Sequence, residues 1–169
     1  MNKLIIERSF NAPIEKVWDA FTNPEVLKQW WTPPAMSNSF ISTELKEGGL
    51  FRYCFKMNAG GAEFWGRGIY VKIDAPNYLS YRDSFTDVDG NDVPPSHFGM
   101  PGDDIVDTLV EFFFTSDGNT TMLKLVGENP FDEKRVYLFH YQEFPASQSS
   151  PGIYYFISSF PTDYKSGLW

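Results

Sequence analysis

The stretch Trp30-Trp31-Thr32-Pro33-Pro34 decides how the rest of the chain reads. Its adjacent indoles close a short helical pattern. Its prolines forbid that pattern from continuing, because proline has no amide hydrogen and its ring clashes with the preceding turn. Just upstream, Val26, Leu27, Trp30 and Trp31 form the apolar side of a helix that Asn23 can cap and Pro24 can open. Further upstream, Pro13 sits where another helix would begin, and Glu15 suits the positive end of its dipole. Ile14, Val17, Trp18 and Phe21 follow the i, i+3, i+4, i+7 spacing of one buried helical face. Residues 3–10 carry apolar side chains at short spacing and read as a first strand.

Downstream of the prolines the period changes to two, up to about residue 127. Phe51, Tyr53, Phe55 and Met57 alternate with Arg52, Cys54 and Lys56, between the turn signals Gly48-Gly49 and Gly60-Gly61. Trp65, Arg67, Ile69, Val71 and Ile73 share one face of the next strand. Gly66 and Gly68 lie on its other face, where something approaches closely or the strand bends. Residues 78–85 read as a strand after Pro76-Asn77. Val106, Thr108, Val110, Phe112 and Phe114 alternate in another, which Asp117-Gly118 turns into Thr121, Leu123 and Leu125. Residues 86–103 are a long polar loop rich in Pro and Gly, a kind of loop that is usually functional or disordered. The order is a strand, two helices, then a meander of about six strands. This describes an α+β fold in one domain spanning residues 1–169, with a curved antiparallel sheet and a large apolar inner surface.

Composition narrows the function. The chain has 169 residues, enough for a sizeable core, and 18% of them are aromatic, a high share that either lines a ligand cavity or simply makes a core rich in Phe. A net charge of −8 argues against nucleic acid and against anionic membrane surfaces as partners. Cys54 is the one cysteine, so no internal disulfide forms, as suits a reducing compartment. No apolar run reaches the ~20 residues of a membrane helix, and the first residues do not read as a signal peptide, so a cytoplasmic location is expected.

The ordered set of short motifs resembles a known family. It comprises Phe10-Asn11-Ala12-Pro13 with Val17-Trp18 and Phe21, then Asn23-Pro24-Glu25 with Leu27 and Trp30-Trp31. Gly48-Gly49 before Phe51-Arg52-Tyr53 follows, then Gly66, Gly68-Ile69-Tyr70 and Ile73-Asp74-Ala75-Pro76 with Leu79. The loop Pro94-Pro95-Ser96-His97-Phe98-Gly99 looks like a loop of some members. Together these resemble the family named after the activator of Hsp90 ATPase, within the START-like (Bet v 1-like, SRPBCC) superfamily. The resemblance covers residues 3–127. It implies a helix-grip fold, in which an antiparallel sheet of six to seven strands curls around a long C-terminal helix over a cavity. It also implies binding of hydrophobic or amphipathic small molecules, or roles in stress responses and chaperone regulation; the superfamily includes cyclases.

Residues 128–169 depart from that pattern. Pro145, Pro151 and Pro161 interrupt the expected C-terminal helix, and between Phe131 and Phe144 strand and helix readings both stay open. Irregular closure of the sheet or an altered reading frame would each account for this tail.

Pocket walls are the strongest site candidates. Strand parity groups Phe51, Tyr53, Phe55, Trp65, Arg67, Ile69, Val110, Phe112 and Phe114 as one interior, although parity alone does not tell which face is concave. Trp30 and Trp31 either cap its mouth or staple the second helix to the sheet. Arg67 could meet a ligand carboxylate; an internal ion pair with Glu63, Glu111 or Asp83 is the preferred reading. His97 is a candidate loop site and otherwise a solvated side chain. Asp103, Asp104 and Asp107 near it form no recognised metal pattern. Cys54 lacks a neighbouring base, so no catalytic residue is assigned, and no cofactor or metal is expected. The leading expectation is non-catalytic binding of a small hydrophobic or aromatic ligand. A cyclase- or hydrolase-type enzyme and an Hsp90-type interaction module are the alternatives, and a homodimer is compatible with each.

Overall fold

A computed structural model describes residues 2–32 and 36–129, and all structural statements concern these residues. The elements follow the expected order: β1 (Asn2–Phe10), α1 (Ile14–Thr22), α2 (Pro24–Trp30), β2 (Met36–Thr43), β3 (Leu50–Met57), β4 (Glu63–Asp74), β5 (Tyr78–Thr86), β6 (Asp107–Asp117) and β7 (Thr120–Asn129). A single 3-10 turn, Pro95–Phe98, lies within the long connection between β5 and β6. The expected C-terminal helix, His140, the Phe131–Phe144 segment and the Pro33-Pro34 stop lie outside the described residues.

The strands form one antiparallel seven-stranded sheet in the order β1-β7-β6-β5-β4-β3-β2, curled into a half-barrel. The α+β expectation of a curved antiparallel sheet with two short helices is met. Only the β1–β7 pairing is distant in sequence; every other pair is a hairpin neighbour. β2 was not singled out by the sequence pattern. Its residues Met36-Ser37-Asn38-Ser39-Phe40-Ile41-Ser42-Thr43 bury only Ile41, as befits a Ser-rich edge strand with little to alternate.

Local chemistry sets the helices. Pro13 is the residue before α1, not its first helical residue as the pattern suggested. Its carbonyl accepts from the Lys16 and Val17 amides at 3.1 and 3.2 Å. The Asn23 side chain caps α2 by accepting from the Glu25 amide at 3.1 Å, and Pro24 opens the helix as expected.

Both helices lie on the face of the sheet that displays Phe51, Phe112 and Phe114. The Phe21 ring meets Phe112 and Phe114 at 5.6 Å each, Trp18 meets Phe114 at 5.6 Å, and Trp31 meets Phe51 at 5.5 Å. Trp30 packs on Phe21 at 4.9 Å and donates its indole hydrogen to the Ala20 carbonyl at 3.0 Å. Each such ring pair adds about 1 kcal/mol beyond the area it buries. Trp31 therefore ties the end of α2 to β3, while Trp30 ties α2 to α1.

A polar cluster on the concave face

Strand register assigns the faces residue by residue, because directly opposed residues in an antiparallel ladder point the same way. Phe51 opposes Gly68, Tyr53 opposes Gly66 and Phe55 opposes Phe64. Gly66 and Gly68 in turn oppose Phe85 and Asp83, and Tyr70 opposes Tyr81. Tyr81 opposes Val110, and Leu79 opposes Phe112. The inner face therefore carries Phe51, Tyr53 and Phe55 from β3 with Val110, Phe112 and Phe114 from β6, as expected. It also carries Tyr81, Asp83 and Phe85, which had not been proposed for the wall.

Trp65, Arg67 and Ile69 are on the opposite face, a correction to the expected interior. They oppose Cys54, Arg52 and Leu50 of β3. The reason is steric. A methyl group at Gly66 would run into the ring end of Tyr53, and one at Gly68 would stand 2.9 Å from the Tyr81 ring. Tyr53 crosses β4 over Gly66 from β3, and Tyr81 lies over Gly68 from β5. The glycine face of β4 is thus the crowded inner one, and its large side chains are turned outward.

The Tyr53 crossing brings its hydroxyl to Asp83, donating at 3.0 Å to Oδ1 and 3.3 Å to Oδ2. Tyr53 and Tyr81 are 8% and 3% exposed, and Asp83 is partly buried. The Tyr81 hydroxyl has no hydrogen-bond partner among the described residues. Burial pushes the Asp83 carboxyl up to about 7, against the Tyr53 hydrogen bond and the Arg67 charge, which act to lower it; Asp107 adds to the rise. Burial first, then the Asp83 charge, holds both Tyr53 and Tyr81 well above the usual tyrosine range. The two rings flank Phe51, at 5.4 Å for Tyr53 and 5.7 Å for Tyr81.

The long β5–β6 connection closes one end of this face. Phe98, on the 3-10 turn, packs on Phe64 at 5.3 Å and on Phe85 at 5.8 Å. His97, beside it, is exposed. Arg67 takes Asp92 of this loop as its partner, Nε to Oδ1 at 2.8 Å, instead of Glu63, Glu111, Asp83 or an interior ligand. Directly opposite Arg67, Arg52 lies over the Trp65 ring at 5.1 Å and donates to the Val88 carbonyl at 3.0 Å. These arginines therefore anchor the loop on the outer face. Cys54 is wholly buried on that face, and desolvation is the largest influence raising its thiol pKa. Among the described residues no His, Cys, Asp and Glu side chains converge as a metal site, and no helix is long and apolar enough to cross a membrane.

The signals for the missed residues were present. A Tyr-x-Asp pair at period two puts both side chains on one face, and the Gly66-x-Gly68 pair marks the face onto which larger neighbours fold.

A protein-family model described as activator of Hsp90 ATPase homolog 1-like protein matches residues 11–148. The match runs past residue 127, where the expected resemblance stopped. The chain is similar in structure to a Mycobacterium smegmatis protein, with TM-score 0.64 and 23% identity over 83% of this chain and 80% of that one. It is similar to an Arthrobacter aurescens protein, with TM-score 0.66 and 22% identity over 82% and 76%. A Staphylococcus epidermidis protein gives TM-score 0.63 and 25% identity over 82% and 78%. These likenesses show the shared helix-grip type of curled sheet. No curated relative matches the chain.

Proposed function

Because this chain belongs to the activator of Hsp90 ATPase homolog 1-like family, we propose that it binds a small hydrophobic or aromatic molecule against the inner face of its sheet, without transforming it. The family supports a ligand-binding fold in general. The observation that carries the reading to this chain is the inner face itself. Phe51, Tyr53, Tyr81 and Phe85 present rings there, with Asp83 and the Tyr81 hydroxyl among them. An apolar wall with a few convergent polar atoms is the usual composition of a small-molecule site. A cytoplasmic location accompanies this proposal, consistent with a single, buried Cys54.

Thermal denaturation against a panel of apolar and aromatic compounds tests it. A ligand present at about 100 times its Kd should stabilise the fold by ~2.7 kcal/mol, which reads as a rise of several degrees in Tm. A panel that leaves the melting temperature unmoved removes the reading.

The second reading, a cyclase- or hydrolase-type enzyme, is favoured by one observation. Tyr53 and Asp83 form a hydrogen-bonded acid–base pair on the inner face, with the carboxyl near neutrality. Turnover of a bound ligand by the native protein, lost in Asp83→Asn, is its signature.

A further inference from the structure

We infer that the Tyr53–Asp83–Tyr81 group is the docking point for a protonated amine carried on an aromatic or apolar frame, with the ammonium held between the Asp83 carboxylate and the Tyr81 hydroxyl. This inference rests on the ligand-binding reading and specifies its ligand class.

The hydrogen-bond inventory points to a donor. Tyr53 gives its one hydroxyl proton to Asp83, so its oxygen has only lone pairs left to offer a guest. The Asp83 carboxylate is an acceptor with lone pairs to spare beyond that bond. The Tyr81 hydroxyl, 3% exposed and without a partner among the described residues, can also accept. A native structure rarely leaves such a buried group unpaired, and an unexplained instance asks for a ligand or water.

Charge narrows the donor to a cation. From β3 Asp83 is faced by Tyr53, from β5 by Tyr81, and from β6 by Thr108, whose hydroxyl bonds the Asp83 carbonyl at 3.5 Å. Tyr70 stands beyond Tyr81 on β4. The nearest cation, Arg67, is behind the sheet and engaged by Asp92, while Asp107 on that outer side adds negative charge. Arg8, also on the inner face, opposes Leu123, three strands away on β1. The described chain thus places a desolvated carboxylate among rings with no cation beside it on the inner face. The Tyr53 hydroxyl meets it, Phe51 packs on both Tyr53 and Tyr81, and aromatic rings attract ammonium groups. An anionic guest would meet Asp83 and a chain of net charge −8. A neutral alcohol would satisfy one hydrogen bond and leave the charge uncompensated.

A matched pair of probes, 2-naphthylmethylamine and 2-naphthylmethanol, tests this by calorimetric titration of the native chain at about pH 8, where the amine is still largely protonated. The amine should bind at least about tenfold more tightly, equivalent to ~1.4 kcal/mol. That preference should vanish in Asp83→Asn and weaken in Tyr53→Phe, with both variants first shown to melt cooperatively. Amine affinity should also fall as pH drops through about 7, where a proton competes for Asp83, while alcohol affinity stays level. If the alcohol binds as well as the amine, or Asp83→Asn keeps the preference, the inference is overturned and the ligand-binding reading stands. If neither probe binds and the apolar panel is also silent, both fall.

Discussion

Tyr53 reaches Asp83 across the bare backbone of Gly66, its hydroxyl donating to the carboxylate at 3.0 Å from a strand that is not the neighbour of β5. β4 runs between them, and Gly66 is the residue that lets the ring pass. Any side chain there would occupy the space the Tyr53 ring fills. The polar cluster therefore depends on a missing side chain as much as on those present.

Gly66→Ala should accordingly displace the Tyr53 ring and destabilise the fold by about 1–3 kcal/mol, the usual range for overpacking. In a double-mutant cycle with Tyr53→Ala the two losses should be strongly non-additive, because removing the ring removes the clash. Urea denaturation of the four proteins measures this. Additive losses would show that the two positions do not share that space.

Asp83 should make stability depend on pH in an unusual direction. In the folded state it titrates at about 7, against 3.8 for an ordinary aspartate. Between those values the folded protein keeps a proton that the unfolded chain has lost, so this group's contribution falls as pH rises, and its full penalty stands above about 7. Asp83→Asn keeps an acceptor for Tyr53 and removes the charge. It should stabilise the protein by roughly 1–3 kcal/mol near pH 8, with the gain shrinking toward pH 4. Urea midpoints measured across that range check the slope, and a gain independent of pH would refute it.

Arg67→Ala should release the start of the long loop. It removes the paired contact to Asp92, an ion pair whose side chains are 15% and 34% exposed. A global loss of only about 1 kcal/mol is expected, with a much larger rise in proteolytic cleavage between residues 87 and 103. Arg67→Lys should rescue poorly, since an ammonium cannot make the two-pronged contact that Nε and Nη2 make with Asp92. Limited proteolysis reads both effects, and equal cleavage of all three proteins would show that Asp92 does not anchor the loop.

Cys54 should be nearly inert to thiol reagents at neutral pH in the native protein and react only on unfolding. It is fully buried, and its thiol pKa is raised, chiefly by desolvation. Rapid native-state labelling would contradict its placement beneath the outer-face pair Phe40 and Trp65, whose rings stand 5.5 Å apart.

Much of the architecture was legible from residue pattern. Apolar spacing located α1, Asn23-Pro24 marked the start of α2, and Gly48-Gly49 and Gly60-Gly61 marked turns where Gly48, Gly60 and Gly61 adopt positive φ. These features are local, so a few residues of sequence suffice to encode them. β2 escaped notice because an edge strand needs little apolar alternation.

The half of the site that the sequence determined is the list of alternating aromatic residues on β3 and β6. Period two states which residues share a face within one strand. It says nothing about how the faces of neighbouring strands match, because that depends on register. The structure decided that Gly66 and Gly68, and not Trp65, Arg67 and Ile69, join Phe51 and Tyr53 inside. Curling crowds a concave surface, so rings from β3 and β5 take the room over β4, and that strand turns its bulk outward. The encounter of Tyr53 with Asp83 is thirty residues long in sequence and exists only in the assembled sheet.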